Sequence, residues 1–219
     1  MPDPGTVPIR ASIAADEPAI VTLLSATLRG DPVLAWLYPD ASAQQLADAA
    51  TAAARQTITE ARSRGTIDIA SLGPGRVDGV AVWADHTEAA ATTPAMLRPA
   101  DGITPALARA AGLGLLLDVE HPVGRHHDLL HLVLAPTLAG RAGVVPRLLG
   151  AHHDRLDAAD LAAYAVVHRA AGRNMLLAQG WQEPRLLSPA DEVGAACPPA
   201  WALRRVPGRR DRAGHEPGA

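Results

Sequence analysis

The sequence predicts an α+β domain in which helices flank a largely antiparallel sheet. Two apolar segments, 66–72 and 77–84, are separated by Gly73-Pro74-Gly75, a turn signal that joins neighbouring antiparallel strands. Residues 129–134 then form a continuous apolar run interrupted only by His131, which is typical of a central strand buried on both faces. Amphipathic helical patterns precede and follow these strands, so the two kinds of element are expected to share one core.

Caps, apolar spacing and chain breakers define the individual elements. Asp16 caps the first helix, which shows apolar residues at Ile20 and Leu24, and Gly30 stops it. Further helices are predicted at 42–64, 105–117, 146–157 and 170–179. Gly65 ends the first of these and Gly180 the last, and Pro146 takes the first helical position of the third. The remaining strands are predicted at 7–12, 161–167, 181–187 and 201–206.

A length of 219 residues suffices for one well-buried core and does not require a second. We expect residues 1–206 to form a single domain and the Arg-rich residues 207–219 to form a disordered tail. Within this domain, residues 85–122 loosen into an Ala-, Thr- and Pro-rich stretch followed by a helix. This segment is interpreted as an insertion over one end of the sheet.

Composition excludes several classes of partner. A formal net charge of -3 and an aromatic content of 3% provide neither attraction for a phosphate backbone nor platforms for base stacking, so nucleic acid is not expected. The single Cys197 cannot form an internal disulfide, which fits a reducing compartment. No apolar run reaches the roughly 18 residues needed to cross a bilayer, and no signal-peptide pattern begins the chain. We therefore expect a soluble, cytoplasmic protein without a membrane partner.

Five motifs in a fixed order carry the functional signal. They are Asp31-Pro32-Val33-Leu34-Ala35-Trp36-Leu37-Tyr38-Pro39-Asp40, Glu120-His121-Pro122, Leu132-Val133-Leu134-Ala135-Pro136, the loop 139–145 and the segment Gly172 to Trp181. In this order they resemble the GNAT superfamily of N-acetyltransferases, and the first two resemble an actinobacterial-type branch of it. The resemblance implies a GNAT fold with a mixed, mostly antiparallel sheet splayed at its central strand.

The resemblance also implies acetyl-CoA as co-substrate and a place for it to bind. The backbone of the central strand would pair with the pantetheine arm, and the loop after it would hold the pyrophosphate on backbone amides at a helix N-terminus. The implied cofactor-binding residues are Leu132, Val133, Leu134, Gly140, Arg141, Ala142, Gly143, Val144 and Val145. Two alignments of the loop, on Ala139–Ala142 or on Gly143–Val145, stay open, and Val145 and Pro146 depart from the glycine-rich pattern.

Candidates for catalysis lie on the central strand. Asp128 and His131 are the candidates for the base that accepts the proton of the substrate ammonium; the alternatives are a solvated charge at a strand end and a hydrogen-bonded core histidine. The position where the resemblance expects a tyrosine as acid for the departing thiolate is Leu176. The thiolate would then take its proton from water or another group.

The resemblance implies an acceptor pocket in the region after the first helix, where Asp31, Trp36 and Tyr38 lie, and an acid with aromatic side chains suits an ammonium group. Packing of the two aromatic residues in the core or a lid is the alternative. The pairs His126-His127 and His152-His153 are not expected to form a metal site, since adjacent residues of a strand point to opposite faces.

The sequence thus predicts an acetyl-CoA-dependent N-acetyltransferase that acts on a small-molecule amine, as a monomer or homodimer. Two alternatives stay open. One is a non-catalytic GNAT domain that binds acyl-CoA or a partner protein; the other is an acyltransferase that uses a carrier-bound thioester.

Overall fold

One mixed sheet organises the computed structural model, which describes residues 7–88, 105–138, 140–187 and 197–208. Its strands are β1 (Ile9–Ala11), β2 (Gly65–Ala70), β3 (Gly79–Asp85), β4 (His126–Leu134), β5 (Ala162–Val167), β6 (Gln182–Leu187) and β7 (Ala200–Arg205). They are arranged in the order β1-β2-β3-β4-β5-β7-β6. Only β4 and β5 are parallel neighbours; the other neighbouring pairs are antiparallel. The predicted mixed, mostly antiparallel sheet is confirmed.

Helices cover both faces of the sheet. They are α1 (Glu17–Leu28), α2 (Pro32–Leu37), α3 (Ala43–Arg64), α4 (Pro105–Glu120), α5 (Val144–Ala159) and α6 (Ala170–Leu177). The buried residues of α3 include Ala50, Ala54 and Ile58, whose spacing of four keeps them on one side of the helix. With α1 they cover one face of the sheet, whereas α5 and α6 pack on the other through residues such as Leu148 and Leu176. The sheet is therefore buried between two helical layers.

Helix α5 begins two residues before the predicted start. Gly143 precedes it in the left-handed conformation, with φ 81°, and Val144 is its first residue. Pro146 is consequently the third helical residue, and its prediction as the first is wrong. The amides of the first turn have no partner within a helix, so proline is tolerated anywhere in that turn and does not fix which residue comes first.

The short helix α2 was not predicted from the sequence. Asp31 caps it by accepting a hydrogen bond from the Val33 amide at 2.8 Å, and Pro32 occupies the first helical position. Arg109 of α4 donates to the Leu37 carbonyl at 2.9 Å, which ties α2 to α4. The signal was the pair Asp-Pro, but six residues are too few for an apolar period to show.

Strand β4 begins at His126, three residues earlier than predicted. The prediction missed these residues because they are polar and it relied on a continuous apolar run. Helix α4 extends three residues beyond its predicted end. The proposed insertion at 85–122 and the tail at 207–219 lie partly outside the described residues and stay predictions. None of the helices in the described ranges combines the length and apolarity needed to cross a bilayer.

Candidate active site

A cleft opens where β4 and β5 separate. The parallel pairing joins His126–Asp128 to Ala162–Tyr164 and ends there. Within the described residues, the remainder of β4, residues 129–134, pairs with β3 alone. Because hydrogen-bonding groups along a strand serve both of its edges, the edge of 129–134 that faces β5 offers unpaired amides and carbonyls. Such an edge can pair with an extended amide-bearing ligand. Leu132, Val133 and Leu134 lie on it.

A bulge interrupts β4 at the mouth of this cleft. Trp83 of β3 opposes Leu129 and Val82 opposes His131, so Leu130 has no partner on β3. Leu130 packs against the core beneath α1 and α3, and His131 faces Thr57 of α3. The bulge therefore places two consecutive side chains on the same face of the sheet, where a regular strand would alternate them.

The loop after β4 leads into the N-terminus of α5. Gly140 and Gly143 both have positive φ, 79° and 81°, which only glycine adopts without strain. Val144 and Val145 then contribute the first helical amides, which have no partner within the helix; amides in this position can bind an anion. Pro146 supplies no amide, so the helix end has one donor fewer than usual.

A cavity of about 200 Å³ lies at the point where β4 and β5 separate. Asp128 and Leu130 of β4, Tyr164 of β5, and Leu117 and His121 at the end of α4 contribute to its wall. The cavity thus brings polar groups to the inner end of the open edge. It is a candidate place for the reacting groups of a substrate.

Asp128 is buried rather than a solvated charge at a strand end, with 9% of its surface exposed. Its Oδ2 lies 2.8 Å from Nε2 of His121 and 3.2 Å from Nε2 of His86, and its Oδ1 lies 3.1 Å from Nε2 of His126. Burial raises the pKa of the carboxyl, but hydrogen bonds from His121 and His126 outweigh it and lower the pKa to about 2. A carboxylate with this pKa is a weak proton acceptor at neutral pH.

His131 has quite different surroundings. Its Nε2 lies 3.5 Å from Oγ1 of Thr57, at the limit of a hydrogen bond. Burial lowers the pKa of the imidazole, and the negative charge of Asp31 only partly opposes this. The ring is therefore neutral at neutral pH and able to accept a proton.

The three residues predicted for the acceptor pocket occur in and around α2. The carboxylate of Asp31 is engaged in capping, yet its charge acts on both His131 and His168. Trp36 is half-buried, whereas Tyr38 is exposed over 39% of its surface. Asp31 is thus the member of this set whose charge reaches a candidate base.

Leu176, at the position expected for the acid tyrosine, is 1% exposed and packs in the core between α6 and the sheet. It cannot donate a proton. Tyr164 lies instead against the cavity, with its ring 5.3 Å from that of His121.

Sequence reasoning missed a group of four side chains near Asp128. His86, His121, His126 and Asp128 each direct one donor atom to a common region, and these atoms lie within 4.8 Å of one another. His126 and His127 do point to opposite faces of β4, whereas His152 and His153 lie on helix α5 rather than on a strand. The expectation of no metal site did not consider histidines brought together from three separate segments. We name this set the convergent group.

A second histidine group lies across β4, against α5. His127 Nδ1 is 3.2 Å from Nε2 of His152, and Nη2 of Arg155 is 2.8 Å from both Nδ1 of His152 and Oδ2 of Asp68. The other end approaches Asp85, whose Oδ1 is 3.6 Å from Nε2 of His127. We name this set the linear group, because each side chain contacts the next.

Comparisons with known proteins address the fold. No family model matches the chain, and no curated protein matches it. Among solved structures, a histone acetyltransferase HPA2-related acetyltransferase of Corynebacterium glutamicum matches with TM-score 0.64 and 21% identity, over 93% of this chain and 97% of that one. A polyamine N-acetyltransferase of Drosophila melanogaster matches with TM-score 0.63 and 13% identity, over 92% and 100%. The chain has the GNAT fold.

A further GNAT-fold structure comes from Sinorhizobium meliloti. It is a phosphinothricin acetyltransferase in complex with AcCoA, similar to this chain with TM-score 0.52 and 15% identity over 93% and 89% of the two chains. These matches confirm the GNAT architecture expected from the order of the motifs. The actinobacterial-type branch and the identity of the site residues stay predictions.

Proposed function

We propose that the protein transfers an acetyl group from acetyl-CoA to the amine of a small molecule. The observation that carries this proposal is the separation of β4 from β5 after Asp128, which leaves the edge of 129–134 open directly before a glycine-bearing loop and a helix N-terminus. An extended strand-like ligand that ends in a pyrophosphate matches this sequence of features.

The residues along the cleft fit acetyl-CoA. Leu132 to Leu134 would pair with the pantetheine amides through their backbone, whatever their side chains. The amides between Gly140 and Val145 would meet the pyrophosphate, and the exposed guanidinium of Arg141 would add a charge-assisted contact. The missing amide of Pro146 weakens this cradle by one donor without removing it.

The reaction needs a base but not a strong acid. The base first takes a proton from the substrate ammonium and later returns it to solvent. The free amine then attacks the thioester carbonyl, the carbon–sulfur bond breaks, and the nitrogen releases its second proton to water as the amide forms. His131 is proposed as the base, because it is neutral, follows the bulge and lies within the field of Asp31. The CoA thiolate takes its proton from water, since a thiol with a pKa near 8.5 is a competent leaving group.

Calorimetric titration with acetyl-CoA, followed by thiol release with a panel of small amines, tests the proposal. Gly143→Ala places a side chain at φ 81° and should weaken acetyl-CoA binding about tenfold, roughly 1.4 kcal/mol, by displacing the first amides of α5. Gly180→Ala is the matched control. It has a similar φ of 80°, but it follows the end of α6 and belongs neither to the loop after β4 nor to the first turn of α5, so it should leave the affinity unchanged.

His131→Gln should lower turnover at least tenfold while acetyl-CoA affinity stays within about twofold. Absence of acetyl-CoA binding at millimolar concentration would overturn the proposal. Binding without turnover on any amine would favour a non-catalytic domain that binds acyl-CoA or a partner protein. Turnover only from a carrier-bound thioester would favour an acyltransferase with that donor. The cytoplasmic location and the oligomeric state stay predictions.

A further inference from the structure

Four ligand atoms converge beside the cavity on the side of β4 that faces α4. They are the Nε2 atoms of His86, His121 and His126 and the carboxylate of Asp128. We infer that this convergent group binds one divalent transition-metal ion, with zinc as the best match. The inference concerns the ion alone and does not depend on the acyl transfer proposed above.

The spacing of the donor atoms matches tetrahedral coordination. A Zn–N distance of about 2.0–2.1 Å places neighbouring tetrahedral ligands roughly 3.3 Å apart. His121 and His126 have their Nε2 atoms 3.3 Å apart, and the contacts from the three imidazoles to Asp128 measure 2.8, 3.1 and 3.2 Å. The contacts of His86 and His121 are made to Oδ2 and that of His126 to Oδ1, and one ligand atom from each of the four residues lies within 4.8 Å of the others, so small side-chain adjustments bring the four to one centre.

The centroids of the three imidazole rings are also at similar distances from one another. Their centroids are 5.0 Å apart for His86 and His121, 5.0 Å for His86 and His126, and 4.6 Å for His121 and His126. The imidazoles thus form a nearly equilateral triangle with their Nε2 atoms inward. All three Nε2 atoms lie close to one carboxylate, so an ion placed among them would contact the four side chains together.

The proton count around His126 points to a missing positive charge. Its Nδ1 lies 2.6 Å from the Gly124 carbonyl, which can only accept, so Nδ1 carries the proton. In the neutral ring the Nε2 lone pair then faces Oδ1 of Asp128 at 3.1 Å, and this buried oxygen has no hydrogen-bond donor among the described residues unless His126 carries a second proton. Either a second proton on His126 or a metal ion bound by both atoms resolves this contact.

The contact with Gly124 is also the arrangement that metal-binding histidines usually show. A ligating imidazole typically donates its other ring N–H to a backbone carbonyl or carboxylate, which fixes the tautomer and the orientation of the ring. His86 is fixed through its backbone, because its amide donates to the His126 carbonyl at 2.9 Å and extends the ladder between β3 and β4. Both ligands are therefore held in place before any ion binds.

The ligand set selects the type of ion. Three imidazoles and one carboxylate suit zinc and its first-row neighbours, whereas calcium and magnesium prefer sites made of oxygen. All four positions of a tetrahedral ion are taken by protein, which is typical of a structural site. The ion would join the segment after β3, the end of α4 and the start of β4, and so fix one wall of the cavity.

Zinc binding by the full chain, expressed without a histidine tag and first stripped with a chelator, tests the inference. Competition against a chromophoric zinc chelator should give one high-affinity zinc per chain, and cobalt should give the intense visible absorption of a tetrahedral complex. His126→Gln and His86→Gln should each weaken zinc binding by at least about tenfold and abolish the tetrahedral cobalt spectrum.

His127→Gln is the matched control, because His127 is the next residue of β4 and faces α5 instead. It should bind zinc as the wild type does. Circular dichroism checks that each variant is folded. Two results would overturn the inference. One is that the stripped wild type binds no stoichiometric zinc, in which case a protonated His126 supplies the positive charge. The other is that the His126→Gln and His127→Gln variants bind zinc equally well. Acetyl-CoA titration of the stripped protein reports separately on the proposed acyl transfer.

Discussion

The two histidine groups on opposite faces of β4 have similar composition and opposite proton arrangements. In the linear group, the Arg155 guanidinium can only donate, so His152 accepts at Nδ1 and donates from Nε2 to His127. His127 then directs its own Nε2–H toward Asp85. Each lone pair of the two rings faces a donor, and the group is complete without an added cation.

The convergent group lacks this completeness. There the neutral ring of His126 uses its one proton on a backbone carbonyl, and its remaining lone pair faces a carboxylate unless a second proton or a metal ion lies between them. The comparison teaches that a cluster of histidines and acids indicates a metal only when its lone pairs outnumber the protons available. Counting residues alone would have treated the two groups as equivalent.

The largest effect should come from exchanging one histidine of each group for glutamine in chelator-treated protein. His152→Gln removes the ring stacked on Trp83, whose centroid lies 3.9 Å away, and interrupts the linear group; we expect a loss of about 2–3 kcal/mol in unfolding free energy. His126→Gln relieves the lone-pair contact with Asp128 and should cost less than about 1 kcal/mol. Urea unfolding measures both, and equal losses would remove the distinction between the groups.

A comparable effect should appear in the pH dependence of stability on the α5 side. His153 lies beside the linear group, and its Nε2 makes no hydrogen bond within the described ranges. Burial, with the charges of Arg205 and His152, lowers the pKa of His153 to about 4, and Asp157 only partly opposes this.

The sign follows from comparing the two states. An unfolded histidine has a pKa near 6.5, so between about pH 6.5 and pH 4 the unfolded chain binds a proton that folded His153 does not. Stability should therefore fall over this window as pH falls, by up to about 3 kcal/mol from this group. His153→Gln should reduce the slope in urea titrations; an unchanged slope would assign the pH dependence to other histidines.

The smallest effect concerns the donors to His152. Thr66 places Oγ1 3.3 Å from Nδ1 of His152, which also receives Arg155 at 2.8 Å. Thr66→Val removes only the hydroxyl and suits a strand, so we expect a loss below about 1 kcal/mol and unchanged zinc affinity. A loss above about 2 kcal/mol would show that the hydroxyl, rather than the guanidinium, fixes the tautomer of His152.

Local signals predicted much of the fold. Helix α3 was found almost to the residue because Gly65 ends the periodic pattern, and in the structure a capping box between Ser42 and Gln45 fixes its start. The start of α5 was missed because the cue is the left-handed conformation of Gly143, which the sequence permits but does not specify. The order of the motifs, rather than any single one, led to the GNAT fold.

The candidate site was less predictable. Asp128 and His131 were found as polar residues on an apolar strand, but their different environments depend on the bulge at Leu130, which slips the register by one residue. The sequence did not indicate that His86 and His121 approach Asp128, since their positions depend on where β3 ends and how far α4 extends. Contacts between distant segments of this kind are set by the whole fold.

The open edge of β4 also bears on how the chain avoids associating with its own copies. Exposed strand edges with unpaired amides and carbonyls are templates for pairing with other chains. The edge of β4 lies in the middle of a seven-stranded sheet, so charged residues on the outermost strands of the sheet do not shield it from such pairing. A pantetheine arm lying along residues 129–134 would occupy those groups. In that case bound acetyl-CoA would also reduce aggregation, and the protein would stay monodisperse longest in solutions that contain acetyl-CoA.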